Sequence, residues 1–369
     1  MKILLVGGGS GGPVQPLLAV AEEIKKIHPK TKFLLLGTKK GPEGLMAKNA
    51  GIPFLSIPSG KWRRYFSLRN AATPFFVGAG FVRAITILKK YRPDCVFGAG
   101  SFVQVPVVWA AWLLRIPVVL HQQDLLASLA NKLCQIPATR ITVTFEDSLT
   151  DFSSGLGLFY QKKKKDKIIL TGNPFREQLK HATREQAIRH FKLEPDFPTL
   201  YAVGGGTGAA FINRLVEKAL PQLTKAVQII HSTGQGKASS RTCPHYHPYE
   251  FISDPGLAYA AADIVLCRAG LSTITELSNL EKMSIIVPMP GSHQEVNAYM
   301  LAKLRAAIVI DQRHLTPEIL VSLIRKLLFE SRIQAEVKRN ISKIMPKNAG
   351  KKIAEIIIEL IKSNKAEHK

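Results

Sequence analysis

Ile3-Leu4-Leu5-Val6-Gly7-Gly8-Gly9-Ser10-Gly11-Gly12 is a short apolar run followed at once by a glycine loop, and residues 16–27 then place Leu17, Val20, Ala21 and Ile24 at helical spacing. A second apolar run at 33–36 makes the opening a strand, loop, helix, strand unit. Short β-branched or apolar runs at 95–97, 118–120 and 141–143 continue the series, as in strands buried on both faces of a parallel sheet. The pattern restarts after Lys162-Lys163-Lys164-Lys165, which reads as a solvated connection, and Thr171-Gly172-Asn173-Pro174. Strands are then expected at 200–203, 228–231, 264–267 and 285–288. Leu200-Tyr201-Ala202-Val203-Gly204-Gly205-Gly206-Thr207-Gly208 repeats the opening device ahead of a helix around 211–220. The economical architecture is α/β, with two doubly wound, Rossmann-like domains facing each other across a cleft, since ligands sit outside the carboxyl ends of such strands. The expected division is 1–165 and 166–349, with a terminal helix, 350–369, packing back across the first domain.

Composition narrows the function. A chain of 369 residues, 46% hydrophobic and 21% charged, is long enough for two cores and is neither disordered nor fibrous. Its 51 Lys and Arg against 27 Asp and Glu give a net charge of +24, which draws it towards polyanions. No zinc-finger, RNP or KH motif accompanies the charge, so an anionic membrane surface is the expected partner and nucleic acid is not. Cys95, Cys134, Cys243 and Cys267 share no CxxC spacing, which points to a reducing compartment. The longest apolar run, 105–120, is interrupted by Pro106, Arg115 and Pro117 and is too short to span a bilayer. The apolar segment after Met1-Lys2 is too short for a secretion signal, so the expected location is the cytoplasm.

Four motifs carry candidate chemistry. The first glycine loop lets backbone approach a ligand and leads into a helix N-terminus that favours anions, although a tight strand-to-helix turn would need the same glycines. No acidic residue closes the second strand at Leu36, which argues against a nicotinamide dehydrogenase. The second glycine loop repeats the device. The third motif is Cys267-Arg268-Ala269-Gly270-Leu271-Ser272-Thr273-Ile274-Thr275-Glu276. Here Ser272 or Thr273 can cap a helix, and Glu276 can accept from the vicinal hydroxyls of a ribose or simply favour the helix dipole. The fourth is Gly291-Ser292-His293-Gln294-Glu295-Val296-Asn297, polar groups at a strand's carboxyl end that can read sugar hydroxyls. Cys243, His245 and His247 lie close in sequence but lack a fourth ligand, and no metal site is expected there.

In this order and spacing the four motifs resemble the MurG family, peripheral membrane glycosyltransferases that convert lipid I to lipid II in peptidoglycan synthesis. Gly98-Ala99-Gly100-Ser101-Phe102-Val103 with Pro106, His121-Gln122-Gln123-Asp124, Gly172-Asn173-Pro174-Phe175-Arg176, and Glu250-Phe251-Ile252 extend the resemblance over nearly the whole chain. It implies a glycosyltransferase-B fold whose second half binds UDP-N-acetylglucosamine and whose first half takes the lipid-linked acceptor. On the donor side it implies Gly205, Gly206, Thr207, Gly208 and Arg176, then Phe251 and Ile252 at the uracil. Leu271, Ser272 and Thr273 fall beneath the diphosphate, Glu276 at the ribose, and His293 with Gln294 at the sugar. On the acceptor side it implies Ser10, Gly11, Gly12, Phe102 and Asp124. No cofactor is implied beyond the donor substrate.

The implied reaction is inverting attack of the acceptor's C4 hydroxyl on the anomeric carbon, with UDP leaving against helix N-termini and Arg176 instead of a metal. The family's first loop ends in a histidine that is its best candidate base; here that position is Pro13, which cannot take a proton. Asp124, where the family usually carries Asn, is the candidate replacement, against the reading that it only hydrogen-bonds acceptor or backbone. His121 is a further candidate, against the reading of a satisfied core histidine. Lys61-Trp62-Arg63-Arg64-Tyr65-Phe66, Arg69 and Pro74-Phe75-Phe76-Val77 interleave basic and aromatic residues, so Trp62, Phe75 and Phe76 are the expected membrane contacts, the competing reading being a core helix and a basic loop. The implied location is the cytoplasmic face of the cell membrane, among cell-wall synthesis proteins. Two alternatives stay open: a UDP-sugar-binding protein without transfer activity, because Pro13 departs from the family, and a transferase with another acceptor, which the acceptor-side changes at Phe102, Gln104 and Asp124 would reflect.

Overall fold

The computed structural model describes residues 1–60, 73–153, 167–205 and 208–367. They divide into two compact units, Met1–Arg176 with Pro346–Lys369, and Glu177–Met345. In the first, β1 (Lys2–Val6), β2 (Lys32–Gly37), β3 (Phe54–Ser56), β4 (Cys95–Gly98), β5 (Val118–Gln122), β6 (Arg140–Val143) and β7 (Ile168–Leu170) form a parallel sheet in the order β3-β2-β1-β4-β5-β6-β7. Between them run α1 (Gln15–Ile27), α2 (Glu43–Asn49), α3 (Thr73–Tyr91), α4 (Gln104–Leu113), α5 (Leu129–Cys134) and α6 (Asp147–Ser153).

The second unit begins with a 3-10 turn at Glu177–Lys180 and α7 (Arg184–Phe191). Its strands β8 (Thr199–Val203), β9 (Gln228–Ser232), β10 (Tyr246–Tyr249), β11 (Ile264–Cys267), β12 (Ser284–Ile286) and β13 (Ile308–Val309) pair in parallel in the order β10-β9-β8-β11-β12-β13. Its remaining helices are α8 (Ala210–Leu223), α9 (Pro255–Ala261), α10 (Leu271–Leu280), α11 (Gln294–Lys303), α12 (Pro317–Phe329) and α13 (Ser331–Ile341).

Strand alternation builds the core. Ile3, Leu5, Phe33, Leu35, Cys95 and Phe97 face one apolar layer of the first sheet, while Leu4, Val6, Leu34, Leu36 and Val96 face the other, so these central strands read as unbroken apolar runs. The last helix, α14 (Ala349–Glu367), returns to the first unit. Its Ile353, Ala354, Ile357 and Ile361 join Leu17, Val20 and Ile24 of α1 in one buried cluster. Its far end is fastened by Lys365 Nζ, 2.8 Å from Asp94 Oδ1.

The expected boundary at 165/166 lies instead at 176/177, because residues 168–170 are β7, paired with β6 as an edge strand of the first sheet. The chain re-enters the first unit at Pro346, whose ring packs on Gly172. The lysine run at 162–165 lies outside the described residues.

Strand order marks where ligands belong. In the first sheet β1 has β2 on one side and β4 on the other, and in the second β8 has β9 on one side and β11 on the other. Chain connections leave in opposite directions at these points, opening a crevice beyond the strands' carboxyl ends. The glycine loops at 7–12 and 204–208 both start there.

Candidate functional site

The loop after β8 is set against backbone. Gly208 has φ +68°, and a Cβ there would drive into the Thr233 carbonyl and lie 2.9 Å from Gly234 Cα. Only glycine fits this turn. Asn213 of α8 braces the neighbouring loop by donating to the Thr233 carbonyl at 2.8 Å, and its Oδ1 lies 3.2 Å from His231 Nε2. His231 is fully buried and bonded to the Tyr246 hydroxyl at 2.9 Å; desolvation pushes its pKa down to about 4, so it is a neutral strut. Gly205 is exposed beside the loop, whereas Gly206 and Thr207 lie outside the described residues.

Further bonds knit the other second-unit motifs to this switch point. Gly234 N donates to the Glu250 carbonyl at 3.1 Å, tying the loop after β9 to the segment of Phe251, which is 37% exposed, and Ile252, which is buried. Arg268, at the end of β11, is buried and donates to the Val287 and Pro288 carbonyls at 3.0 Å each and to Gln312 at 2.8 Å. Its guanidinium lies 5.8 Å from the Phe211 ring centroid of α8, so one side chain couples β11, β12 and α8. Asn297 of α11 donates to the Ala269 carbonyl at 3.0 Å, joining the fourth motif to the third.

The start of α10 differs from expectation. Neither Ser272 nor Thr273 caps it; both lie inside the first turn, after Leu271, and Gly270 holds the cap position without a side-chain bond. The helices following the two glycine loops, α1 and α8, and those carrying the third and fourth motifs, α10 and α11, all begin without a side-chain cap. Of the other helices, α5, α7, α9 and α12 are capped by Ser128, Thr183, Asp254 and Thr316, while α2, α4 and α13 also lack a side-chain cap. An uncapped first turn leaves positive partial charge beyond the carboxyl ends of its own unit's strands. Glu276, in the second turn of α10, accepts from the Tyr259 hydroxyl at 2.6 Å. His293 is exposed at the start of α11, and Gln294 turns its Oε1 back to accept from Met289 N at 3.0 Å.

Side chains hold the first-unit loop. Gly9 has φ +81°, and the edge of the Phe102 ring stands 2.8 Å from where its Cβ would be. Ser101 Oγ donates to the Gly8 carbonyl at 2.8 Å, and Gly9 N donates to Glu43 Oε1 at 3.2 Å. Glu43 is wholly buried, and the same oxygen accepts from Thr38 N and Thr38 Oγ1, while Oε2 has no hydrogen-bond partner. Ser10 is exposed, and Gly11, Gly12 and Pro13 are half-buried.

A buried amide network supports Asp124 nearby. Gln104 accepts from Gly100 N at 2.9 Å and donates to Asn131, which in turn donates to Gln122 Oε1 at 2.7 Å. Gln122 Nε2 donates to the Asp124 and Leu126 carbonyls at 2.8 Å each, fixing the turn that carries the half-buried Asp124. His121 is a core residue. Its Nδ1 lies 2.9 Å from Thr142 Oγ1 and its Nε2 2.8 Å from Asn173 Oδ1, and burial pushes its pKa down to about 4. Arg176, the last residue of this unit, bonds Glu22 of α1 at 2.9 Å.

Sequence reading brought out the loops but not their supports. Glu43, Asn131, Asn213 and Tyr259 went unread, Gln104 was read only as an acceptor-side difference, and Arg268 and Asn297 were quoted without a role. Gln104 carried a signal, a polar residue opening an otherwise apolar helix, and so did Asn213 in the apolar run of α8.

Apolar side chains are exposed on three helices, with α3 packed on α4 and α4 on α5. Phe75 is 76% and Phe76 48% exposed on α3, Trp112 53% and Leu113 57% on α4, and Leu129 57% on α5. Exposed Arg83, Lys89, Lys90, Arg115 and Lys132 lie on or beside the same helices. Trp62, with the stretch 61–66 and Arg69, lies outside the described residues. Among the described residues no helix is long and apolar enough to cross a membrane, and no group of three or more His, Cys, Asp or Glu could hold a metal ion.

Comparison with known proteins also gives two domains. The glycosyltransferase family 28 N-terminal domain matches residues 3–143 and the glycosyltransferase family 28 C-terminal domain residues 199–357. A UDP-N-acetylglucosamine–N-acetylmuramyl-(pentapeptide) pyrophosphoryl-undecaprenol N-acetylglucosamine transferase from Listeria welshimeri is 33% identical over 98% of this chain and 100% of its own. A protein of the same name from Clostridium perfringens is 37% identical over 88% of this chain and 90% of its own. Among solved structures, MurG of Acinetobacter baumannii aligns with a TM-score of 0.66 at 25% identity, covering 97% of this chain and 99% of that one. The UDP-GlcNAc 2-epimerase of Neisseria meningitidis shares the fold, with a TM-score of 0.68 at 17% identity over 97% of this chain and 100% of its own.

Proposed function

This chain belongs to glycosyltransferase family 28 and has the glycosyltransferase-B architecture of two parallel-sheet α/β domains, and from that premise we infer that it makes lipid II. It transfers N-acetylglucosamine from UDP-N-acetylglucosamine to the C4 hydroxyl of the N-acetylmuramoyl residue of lipid I, with inversion. The observation that carries this reading is the clustering of the donor motifs at the β8/β11 switch point, in a chain collinear with N-acetylglucosaminyltransferases.

In the proposed division of labour, the second unit binds the donor. The loop containing Gly205, Gly206, Thr207 and Gly208 and the uncapped start of α10 at Leu271, Ser272 and Thr273 face the diphosphate, and Phe251 and Ile252 flank the uracil. Glu276 takes the ribose hydroxyls, and His293 and Gln294 the sugar. Arg176 is assigned to the diphosphate by its motif alone, since here it pairs with Glu22. The leaving UDP gains stabilisation from oriented N–H groups, which need no reorganisation as charge develops, and transfer proceeds without a metal cofactor. The first unit binds the acceptor at Ser10, Gly11, Gly12 and Phe102. Asp124 takes the proton from the attacking hydroxyl as the new glycosidic bond forms and the bond to UDP breaks.

The enzyme works at the cytoplasmic face of the membrane as a peripheral protein, held by the exposed apolar side chains of α3, α4 and α5 and their flanking cations. Aromatic rings settle at the headgroup level while cations meet anionic lipid. Serine at Phe75, Phe76 and Trp112 is expected to abolish sedimentation with anionic vesicles; unchanged sedimentation sinks this part of the reading.

The deciding experiment is transfer of labelled N-acetylglucosamine to a lipid I analogue in detergent, with and without EDTA, beside UDP-N-acetylglucosamine binding and a Glu276→Ala control. Transfer that survives EDTA and is lost in the control is the expected result. Pro13 favours one rival, a UDP-sugar-binding protein. Donor binding with neither transfer nor UDP release across an acceptor panel would establish that rival instead.

A further inference from the structure

Tyr259 is one of the largest fully buried side chains of the protein, 2% exposed, yet its hydroxyl lies 2.6 Å from Glu276 Oε2. A buried phenol needs an acceptor, because an unpaired hydroxyl in the core is costly. Here the acceptor is a carboxylate 17 residues further along the chain, across β11 and the turn that starts α10. The ring itself is fixed. Tyr201, on the central strand β8 and itself buried, meets it edge-on with centroids 5.2 Å apart and planes at 89°. Burial and the adjacent carboxylate raise the phenol's pKa well above 10, so at neutral pH it always donates.

The consequence falls on Glu276. A glutamate near a helix start can rotate its carboxylate freely, but a short bond from a rigid donor fixes one oxygen and with it the carboxylate plane. Bidentate acceptance from two vicinal hydroxyls requires just such a fixed plane, and preorganisation of this kind acts on binding more than on the chemical step.

We propose that Tyr259 is a positioning residue for donor recognition: its hydrogen bond to Glu276 orients that carboxylate onto the vicinal hydroxyls of the nucleotide ribose and thereby sets discrimination against 2′-deoxyribo donors. The proposal rests on the reading of Glu276 as the ribose-binding carboxylate.

The test compares UDP-N-acetylglucosamine with its 2′-deoxyuridine counterpart in the full-length wild type, Tyr259→Phe, Glu276→Ala and the double variant. Phenylalanine keeps the ring packed on Tyr201, and thermal unfolding verifies that the variants are folded. Tyr259→Phe is expected to raise KM for UDP-N-acetylglucosamine about tenfold, the scale of one lost charge-assisted hydrogen bond, with kcat within about threefold and acceptor KM unchanged. Its preference for the ribo donor shrinks towards that of Glu276→Ala, and the double variant is no worse than Glu276→Ala. Calorimetry of UDP against 2′-deoxy-UDP gives the same ratio without turnover. A wild type indifferent to the 2′-hydroxyl overturns the ribose reading and the proposal with it. If the wild type discriminates and Glu276→Ala does not, but Tyr259→Phe keeps the full ratio and KM, the proposal alone fails.

Discussion

The loops after β1 and β8 stand at equivalent places, each at the switch point of its sheet and each running into an uncapped helix, yet they are held differently. Gly208 is walled in by the Thr233 carbonyl and Gly234 Cα, which are backbone. Gly9 and Gly8 are walled in by the Phe102 ring and the Glu43 carboxylate, which are side chains. A backbone wall moves only if its stretch of main chain moves, whereas a side-chain wall changes with one substitution. Gly208 is thus fixed by main chain, whereas Gly8 and Gly9 are held chiefly by side chains that can be exchanged. Pro13, the departure from the family, falls in the exchangeable loop, and its proposed replacement, Asp124, lies on a turn held by Gln122.

Proton transfer is proposed for the first unit alone, at Asp124, and the largest effect is expected there. Asp124→Asn should lower kcat by ~10²–10⁴-fold with little change in donor KM, the usual worth of general-base assistance. Adding Pro13→His should then recover part of the loss. Turnover undiminished in Asp124→Asn sinks the base assignment and returns the residue to hydrogen bonding.

Each unit also holds one neutral buried histidine, His121 and His231, and here the two should behave alike. Burial lowers both to about 4, against about 6.5 in an unfolded chain. Unfolding therefore takes up a proton at each site between those values. Stability is full above pH ~6.5 and falls as pH drops through the window to ~4, by about 3 kcal/mol per histidine. Urea unfolding at pH 7.5 and 4.5 measures this, and His231→Gln should flatten only its own unit's dependence. A flat profile in the unsubstituted protein would mean that these histidines are protonated when folded.

How much was legible follows the same division between central and peripheral structure. The strands read correctly are the interior ones, because burial on both faces writes an unbroken apolar run. The four that went unread, β3, β7, β10 and β13, are the four sheet edges. Edge strands pair on one side only and are short: β7 and β13 are apolar but have three and two residues, and β10 admits Pro248, so none stands out as a strand of its own. Missing β7 displaced the domain boundary. In the sites, glycine loops were legible because backbone conformation is written locally. Glu43 and Tyr259 were not, because their partners lie 34 and 17 residues away and only the fold brings them together.

Backbone and side-chain walls should fail differently. Gly208→Ala should cut kcat/KM for the donor by ~10²-fold, since its Cβ can be accommodated only by displacing the Thr233 loop, and a displacement near 1 Å has that effect. Acceptor KM should stay unchanged. A smaller effect is expected from Glu43→Ala, which frees Gly9 N and Thr38 N: acceptor KM should rise about tenfold and donor KM should not, with Glu43→Gln milder because Oε1 remains an acceptor. Steady-state kinetics varying each substrate separately decide both. Equal effects on the two substrates would break the distinction between the loops.

The smallest expected effect probes the comparison most finely. Gly9→Ala meets two obstacles, the left-handed backbone at φ +81° and the Phe102 ring edge 2.8 Å from the new methyl. The first is intrinsic and costs about 1–2 kcal/mol in stability. The second can be relieved, because a ring edge can swing away and a shorter side chain would leave room. Gly9→Ala should therefore raise acceptor KM only a few-fold, and the rise should be smaller when Gly9→Ala is made in a Phe102→Leu background and compared with Phe102→Leu alone, while the stability loss stays in place. No side-chain substitution should rescue Gly208→Ala in the same way, since its obstacle is a main-chain carbonyl. If Gly9→Ala raises acceptor KM by the same factor in the Phe102→Leu background as in the wild type, the ring is not the wall, and the first loop is as firmly set by backbone as the second.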